Sequence, residues 1–354
     1  MRDAFQENSL QHHISDAGLP NGIRTCPPLP GGSNPVKIAS DHNNGIRTLQ
    51  DKSQQVISAF INTAAEVIIG KEESIRLALA CLLARGHLLI EDLPGMGKTT
   101  LAHLLAQLAG LHYQRIQFTS DLLPADIIGV SIYERQSEAF RFHHGPIFSQ
   151  LILADEINRA TPKTQSALLE AMEEHQVTAE GETYALPSPF FVIATQNPAS
   201  QVGTFPLPES QLDRFMMRIA LGYPDAASER SILTGDDPRS RIQALPVVID
   251  PDQLKVLQAE TRSIHAASAL LDYVQSLIDF TRTTARFEHG LSPRAGIALL
   301  SSARAWALMQ GRREVLPEDV QAVLTAVVSH RIRDLEGRSG TDVGQHILDA
   351  VPVP

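Results

Sequence analysis

The chain has 354 residues, 43% of them hydrophobic, with a formal net charge of −10, enough to bury the core of one large domain or two modest ones. The acidic balance disfavours general affinity for nucleic acid or an anionic membrane, while leaving room for one local basic channel. Cys26 and Cys81 set out neither a disulfide framework nor a zinc site, and with no signal-peptide pattern and no run near the roughly 18 apolar residues of a membrane helix, a soluble, cytoplasmic protein is expected.

Residues 1 to about 50 carry CPPLPGGSNP, many Asn, Ser, His and Gln, and few large apolar side chains. Such a segment cannot offset its own ordering entropy, so 1–50 is expected to be a disordered tail. NGIRT occurs in it twice, at 21–25 and 44–48. The repeat reads as chance or local duplication, with a short docking motif as the sharper alternative. His12-His13 reads as solvated rather than as a metal site.

From residue 51 the texture changes. QQVISAFINTAAEVIIG and ESIRLALACLLARG repeat apolar residues at helical spacing. HLLIE (His87–Glu91) is a short buried strand, followed by a loop and a helix running from Lys98. QRIQFT (114–119), Leu151–Ala154, Phe190–Thr195 and Phe215–Gly222 are four further strands. Short apolar strands alternating with helices indicate an α/β fold with a parallel sheet covered on both faces. Ligands bind such sheets beyond the carboxyl ends of the strands, where Asp155, Glu156, Gln196 and Asn197 fall. Two stretches, 130–145 and 177–186, alternate like hairpins, the second turning at Glu180-Gly181. After 226 the period is helical in LLDYVQSLIDFTRTTARF, SPRAGIALLSSARAWALMQG and PEDVQAVLTAVVSHRIR, with Ser292-Pro293 and Pro317 as start signals. The expected organisation is a tail over 1–50, an α/β nucleotide-binding domain over 51–225 and an all-helical domain over 226–354.

The chemistry concentrates in EDLPGMGKTT (91–100). Gly95 and Gly97 allow the backbone N–H groups to curl inward, and the following helix N-terminus adds partial positive charge. Lys98 is placed for the β- and γ-phosphates and the Thr99 hydroxyl for Mg²⁺. The usual first glycine is Asp92 here, a change in turn geometry rather than in phosphate contact. An ordinary strand-turn-helix with an exposed lysine is the bland alternative. In LILADE (151–156), Asp155 can hold Mg²⁺ through its water shell and Glu156 can polarise an attacking water. Asn197 could orient that water, although a polar residue at a strand end is more often a turn former. Arg214, after a short helix, is either a salt bridge, with Asp213 as partner, or an arginine finger reaching a neighbouring subunit. Arg294, in the first turn of a lid helix, could contact the phosphates as that region closes.

In order along the chain, VIIGKEE, DLPGMGKTT, LILADEINRA, ATQNP with GTFPLPESQLDRF, and LSPRA resemble the AAA+ ATPases. ATQNPASQVGTFPLPESQLDRF is similar to the MoxR group in particular, and the resemblance covers roughly 52 to 335. It implies an AAA+ P-loop core with a helical lid, and ATP bound between adjacent subunits, usually of a hexameric ring. It assigns nucleotide contacts to Pro94, Gly95, Met96, Gly97, Lys98, Thr99 and Thr100, with Asp155 beside them, and Mg²⁺ to Thr99 and Asp155. Glu156 and Asn197 match the catalytic acid and first sensor, Arg214 the finger, Arg294 the second sensor, and Ile69-Gly70 the adenine-packing position. The stretch 130–145 matches the helix-2 insert and 177–186 the hairpin before the first sensor. The long tail departs from the family's compact start.

The resemblance also implies a chaperone-like ATPase that remodels, assembles or activates partner proteins, often ones with a von Willebrand factor A domain, sometimes during metal insertion. An AAA+ nucleic-acid motor is a second reading, disfavoured because Glu134, Arg135, Glu138, Arg141, Glu180 and Glu182 make no basic strip along the hairpins. A metal-chelatase ATPase subunit is a third. A scaffold that binds ATP without cleaving it is a fourth, against which Glu156 and Arg214 weigh.

Overall fold

In the computed structural model, residues 36–136, 138–197, 203–234, 238–335 and 340–353 are described. The chain divides into two compact units, Met1–Gly45 and Ile46–Pro354. The described part of the first is the opening of α1 (Val36–Val67). Residues 36–50 of the expected tail belong to this helix, and residues 1–35 lie outside the described residues. Ile57, Phe60, Ile61 and Ala64 are buried; once such a packed turn exists, each added residue gains a hydrogen bond without paying for nucleation again. Pro35 precedes the first helical residue. Cys26, His12-His13 and the first NGIRT lie outside the described residues.

The second unit continues with α2 (Glu72–Leu83), β1 (Leu88–Glu91), α3 (Lys98–Leu108), β2 (Tyr113–Gln117) and α4 (Pro124–Ile128). A hairpin follows, β3 (Gly129–Glu134) and β4 (Ala139–His144), then β5 (Leu151–Asp155) and α5 (Pro162–Glu174). A second hairpin, β6 (Gln176–Ala179) and β7 (Glu182–Ala185), leads to β8 (Phe191–Gln196), α6 (Glu209–Leu212) and β9 (Met217–Ile219). The remainder is helical: α7 (Ala226–Thr234), α8 (Pro238–Gln243), α9 (Pro251–Ser263), α10 (Ser268–Thr283), α11 (Pro293–Met309), α12 (Pro317–Val328) and α13 (Thr341–Ala350).

Five strands form one parallel sheet in the order β2-β5-β8-β1-β9. Successive strand side chains point to opposite faces, and two buried clusters divide accordingly. Leu88, Ile90, Leu151, Leu153, Phe191 and Ile193 join α1, α2, α3 and the C-terminal helices. Leu89, Ile152, Ala154, Val192 and Ala194 join α5 and Phe118. The first cluster also contains Leu257, Leu299 and Val323, so the helical region shares a core with the sheet.

β9 is shorter than the expected Phe215–Gly222, its pairing with β1 running only from Leu88 with Met217 to Ile90 with Ile219. Ser292 caps α11 as its sequence suggested, accepting from Ala295 N–H at 3.1 Å. Asp250 does the same for α9, accepting from Asp252 and Gln253 N–H at 3.0 and 2.8 Å; the sequence reading had not singled that helix out. The hairpin turn Glu180-Gly181 has φ +53° and +87°, the two left-handed positions of a type I′ turn. Among the described residues, no helix is long and apolar enough to cross a membrane.

Candidate functional site

Register aligns the carboxyl ends of three strands: Glu91 pairs with Gln196, and Ala154 with Ala194. β8 therefore separates the loop after β1 from the acids after β5. In that loop Gly95 and Gly97 hold φ +84° and +88°, and a Cβ at either would meet nothing within 4 Å. The result is an open cradle with left-handed backbone that only glycine adopts without strain. Gly97 precedes α3, and Lys98 is the first helical residue. Lys98 is buried; its Nζ donates to the Asp92 carbonyl at 2.6 Å and to Asn197 Oδ1 at 3.0 Å. Burial lowers its pKa below the usual lysine value, opposed by the carboxylates of Asp92, Asp155, Glu156 and Glu91.

Asn197 completes the link across β8. Its Nδ2 donates to Glu156 Oε1 at 3.0 Å while its Oδ1 receives Lys98. Lysine only donates and a carboxylate only accepts, so the two partners fix which way the amide faces. Glu156 adopts φ +56°, a strained conformation for a non-glycine residue and one typical of functional positions. Its Oε2 also accepts from Gln117 Nε2 and from Arg159 Nε, each at 3.0 Å.

Asp155 is buried, and Thr195 Oγ1 donates to its Oδ1 at 2.6 Å. Arg115 binds its Oδ2 through Nε at 3.0 Å and a terminal nitrogen at 2.6 Å. Carboxylate and hydroxyl oxygens suit a hard cation; Asp155 and Thr99 are thus a fitting donor set for Mg²⁺. Arg115, Gln117, Arg159 and Thr195 escaped the sequence reading. The signal for the first two is their i, i+2 spacing on β2, which puts both on one face beside β5.

Ile69 and Gly70 form the turn between α1 and α2. A Cβ on Gly70 would lie 2.7 Å from Ser228 Oγ and 3.2 Å from Asp225 Oδ2. Lys71 Nζ donates to the Tyr223 carbonyl at 2.7 Å. The pair therefore stands against the chain leaving β9, close backbone approach explaining the glycine.

The two arginines lie elsewhere. Arg214 pairs with Glu173 at 3.1 Å, and Arg294 binds the same carboxylate. They line a cavity of about 230 Å³ with Gly86, His87 and Arg331. His87 precedes β1 and the glycine loop follows it, so this cluster and the loop occupy opposite ends of one strand. Arg294, expected to meet the phosphates of its own chain as the lid closes, stands beside Arg214 instead. At the start of α11, Ser292 Oγ also donates to Asp213 Oδ2 at 3.1 Å. Asp213 Oδ1 is taken by the buried Arg331 at 2.7 Å, so Arg214 pairs with Glu173 rather than with Asp213. Arg331 also donates to the carbonyls of Phe215 and Met216 at 2.6 and 3.0 Å, holding the backbone on the strand side of Arg214.

A glycine loop opening a helix after a central strand, with paired acids two strands away and a polar residue between, defines a P-loop ATPase of the α/β class with a helical lid. Residues 87–217 match the family described as ATPase family associated with various cellular activities (AAA), and residues 279–350 match the AAA lid domain. The uncharacterized protein YeaC of Bacillus subtilis is 41% identical over 310 residues, covering 86% of this chain and 97% of that one. The chaperone MoxR1 of Mycobacterium tuberculosis is 41% identical over 278 residues, covering 75% and 72%. A crystal structure from Cytophaga hutchinsonii of a protein assigned as an ATPase superposes with a TM-score of 0.78 at 35% identity, covering 90% of this chain and 99% of that one. The chain belongs to the MoxR family of AAA+ ATPases.

Proposed function

We propose that the protein hydrolyses ATP at a site completed by a second copy of the chain in a homo-oligomeric ring, and uses the energy to remodel or activate partner proteins. The observation that carries this reading is the separation of the parts. Lys98, Asn197, Asp155 and Glu156 gather at the carboxyl ends of the strands, whereas Arg214 and Arg294 gather at the amino end of β1. Head-to-tail packing brings the second group to the first group of the next subunit.

Lys98 and the loop N–H groups hold the phosphates, and Ile69-Gly70 lies against the base. Thr99 and Asp155 would hold Mg²⁺, whose charge would offset that of the phosphates. Glu156 takes the proton of the attacking water, which Asn197 orients. Arg214 and Arg294 of a neighbour neutralise charge on the departing phosphate. The work on a partner protein is supported by the β3–β4 hairpin, where Tyr133 and Phe140 are 51% and 74% exposed. Glu134 pairs with Arg141 on the same hairpin at 3.4 Å, so the charges cancel where a strand-tracking surface would need a basic strip.

Glu156→Gln is expected to bind ATP as the parent does while turnover falls by roughly two to three orders of magnitude. Equilibrium binding of a fluorescent ATP analogue and steady-state phosphate release check this, and turnover at the parental rate would remove Glu156 from the mechanism. The same variant, used as an ATP-locked trap, is the bait for identifying the partner protein.

A further inference from the structure

The residue that breaks the phosphate-loop pattern is bound to three separate parts of the fold. Asp92 stands where glycine is usual. Its N–H donates to the Gln196 carbonyl at 3.3 Å, extending the pairing of β1 with β8. Its carbonyl accepts from Lys98 Nζ at 2.6 Å. Its side chain reaches the other way: Oδ1 accepts from Leu93 N–H at 2.8 Å, and Oδ2 accepts from Leu221 and Gly222 N–H at 2.7 and 2.6 Å.

Leu221 and Gly222 lie just beyond β9, where the chain leaves the sheet for the helical region. Gly222 at φ +63° turns two consecutive N–H groups toward one point, a concave pair of donors suited to an anionic oxygen. Asp92 fills it with two charge-assisted hydrogen bonds, stronger than neutral ones. A glycine at 92 would leave both N–H groups without that acceptor, and Leu221 is buried, so water replaces it poorly.

We infer that Asp92 is a positioning residue that passes the state of the phosphate loop to the joint between sheet and helical lid. The inference rests on the ATPase reading above. Lys98 Nζ divides its bonds between the Asp92 carbonyl and Asn197. Phosphate oxygens drawn to Lys98 compete with that carbonyl, and the strand end that releases Lys98 is the one to which Leu221 and Gly222 are fastened. A loop with glycine at 92 binds phosphate without this connection.

The test compares the full chain with Asp92→Gly, which restores the usual pattern, and Asp92→Asn, which keeps the shape and one acceptor oxygen. Thermal melting, affinity for a fluorescent ATP analogue, steady-state ATPase rates and hydrogen exchange over residues 220–224 are measured for each. In the parent chain, exchange at 220–224 is expected to change when the analogue binds. In Asp92→Gly it should be fast with and without the analogue, and kcat should fall roughly tenfold while KM moves by less than about threefold. Asp92→Asn should lie between the two, and it decides by the same criteria if the glycine variant does not fold. A folded variant with parental kcat and parental nucleotide-dependent exchange overturns the inference. So does a variant whose KM alone rises, since that marks a role confined to the loop. A parent chain that binds ATP but never cleaves it overturns the ATPase reading and this inference with it, whereas active parent and identical variants refute the role of Asp92 alone.

Discussion

At Asn197 one amide meets two side chains of opposite charge, and neither could contact the other as well without it. Lys98 and Glu156 both bond to it at 3.0 Å, so the cation proposed to bind phosphate and the acid proposed to activate water are held in a fixed relation across β8. Asn197→Ala is expected to leave ATP affinity within about threefold of the parent and to lower turnover roughly tenfold to a hundredfold, the scale of losing one preorganised polar group. A binding titration beside a phosphate-release assay separates these effects. Unchanged turnover would mean that the bridge organises only the resting site.

At the scale of elements, β1 carries the glycine loop at one end and His87 at the other. His87 Nδ1 accepts from Val192 N–H at 3.0 Å and Nε2 donates to the Met172 carbonyl at 3.1 Å. That arrangement requires the neutral ring, and burial lowers its pKa from 6.5 to about 4. Buried His330, donating to the Phe215 carbonyl at 2.9 Å, is likewise held well below its ordinary value by burial. Both are neutral in the fold and protonate more readily in the unfolded chain, so the unfolded state binds more protons as pH falls below 6.5. The contribution of each is complete above that value and is lost as pH falls below it, for His87 progressively toward about pH 4. The melting temperature should therefore drop between about pH 7 and about pH 5, and His87→Gln, which keeps an acceptor and a donor without titrating, should flatten that drop. An unaltered pH slope in the variant would assign the acid sensitivity to other groups.

Strands β1, β5 and β8 were legible because each is a short apolar run ending in polar residues, and the chemistry falls on those ends. Lys98, Asp155, Glu156 and Asn197 could be picked out for that reason. Arg115 and Gln117 offered only an i, i+2 spacing, since their importance comes from the pairing of β2 with β5, which sets Gln117 beside Asp155. Arg294 was placed by its position in a motif, whereas the packing of the helical region on the sheet, invisible to local pattern, sets it beside Glu173 and Arg214.

For the whole molecule, the consequence is that a single chain carries both halves of the proposed site but cannot bring them together. Glu156 and Arg214 sit on opposite ends of the sheet, and in the proposed head-to-tail ring each loop would take its neighbour's arginines. Mixing two inactive variants tests this most directly. Arg214→Ala retains Glu156, and Glu156→Gln retains Arg214, so random assembly of equal amounts makes about one interface in four complete. The ATPase rate of each variant alone should be near background, and the mixture should recover about a quarter of the parental rate per chain. A mixture no more active than its components, or normal turnover by Arg214→Ala alone, would contradict a site shared between subunits.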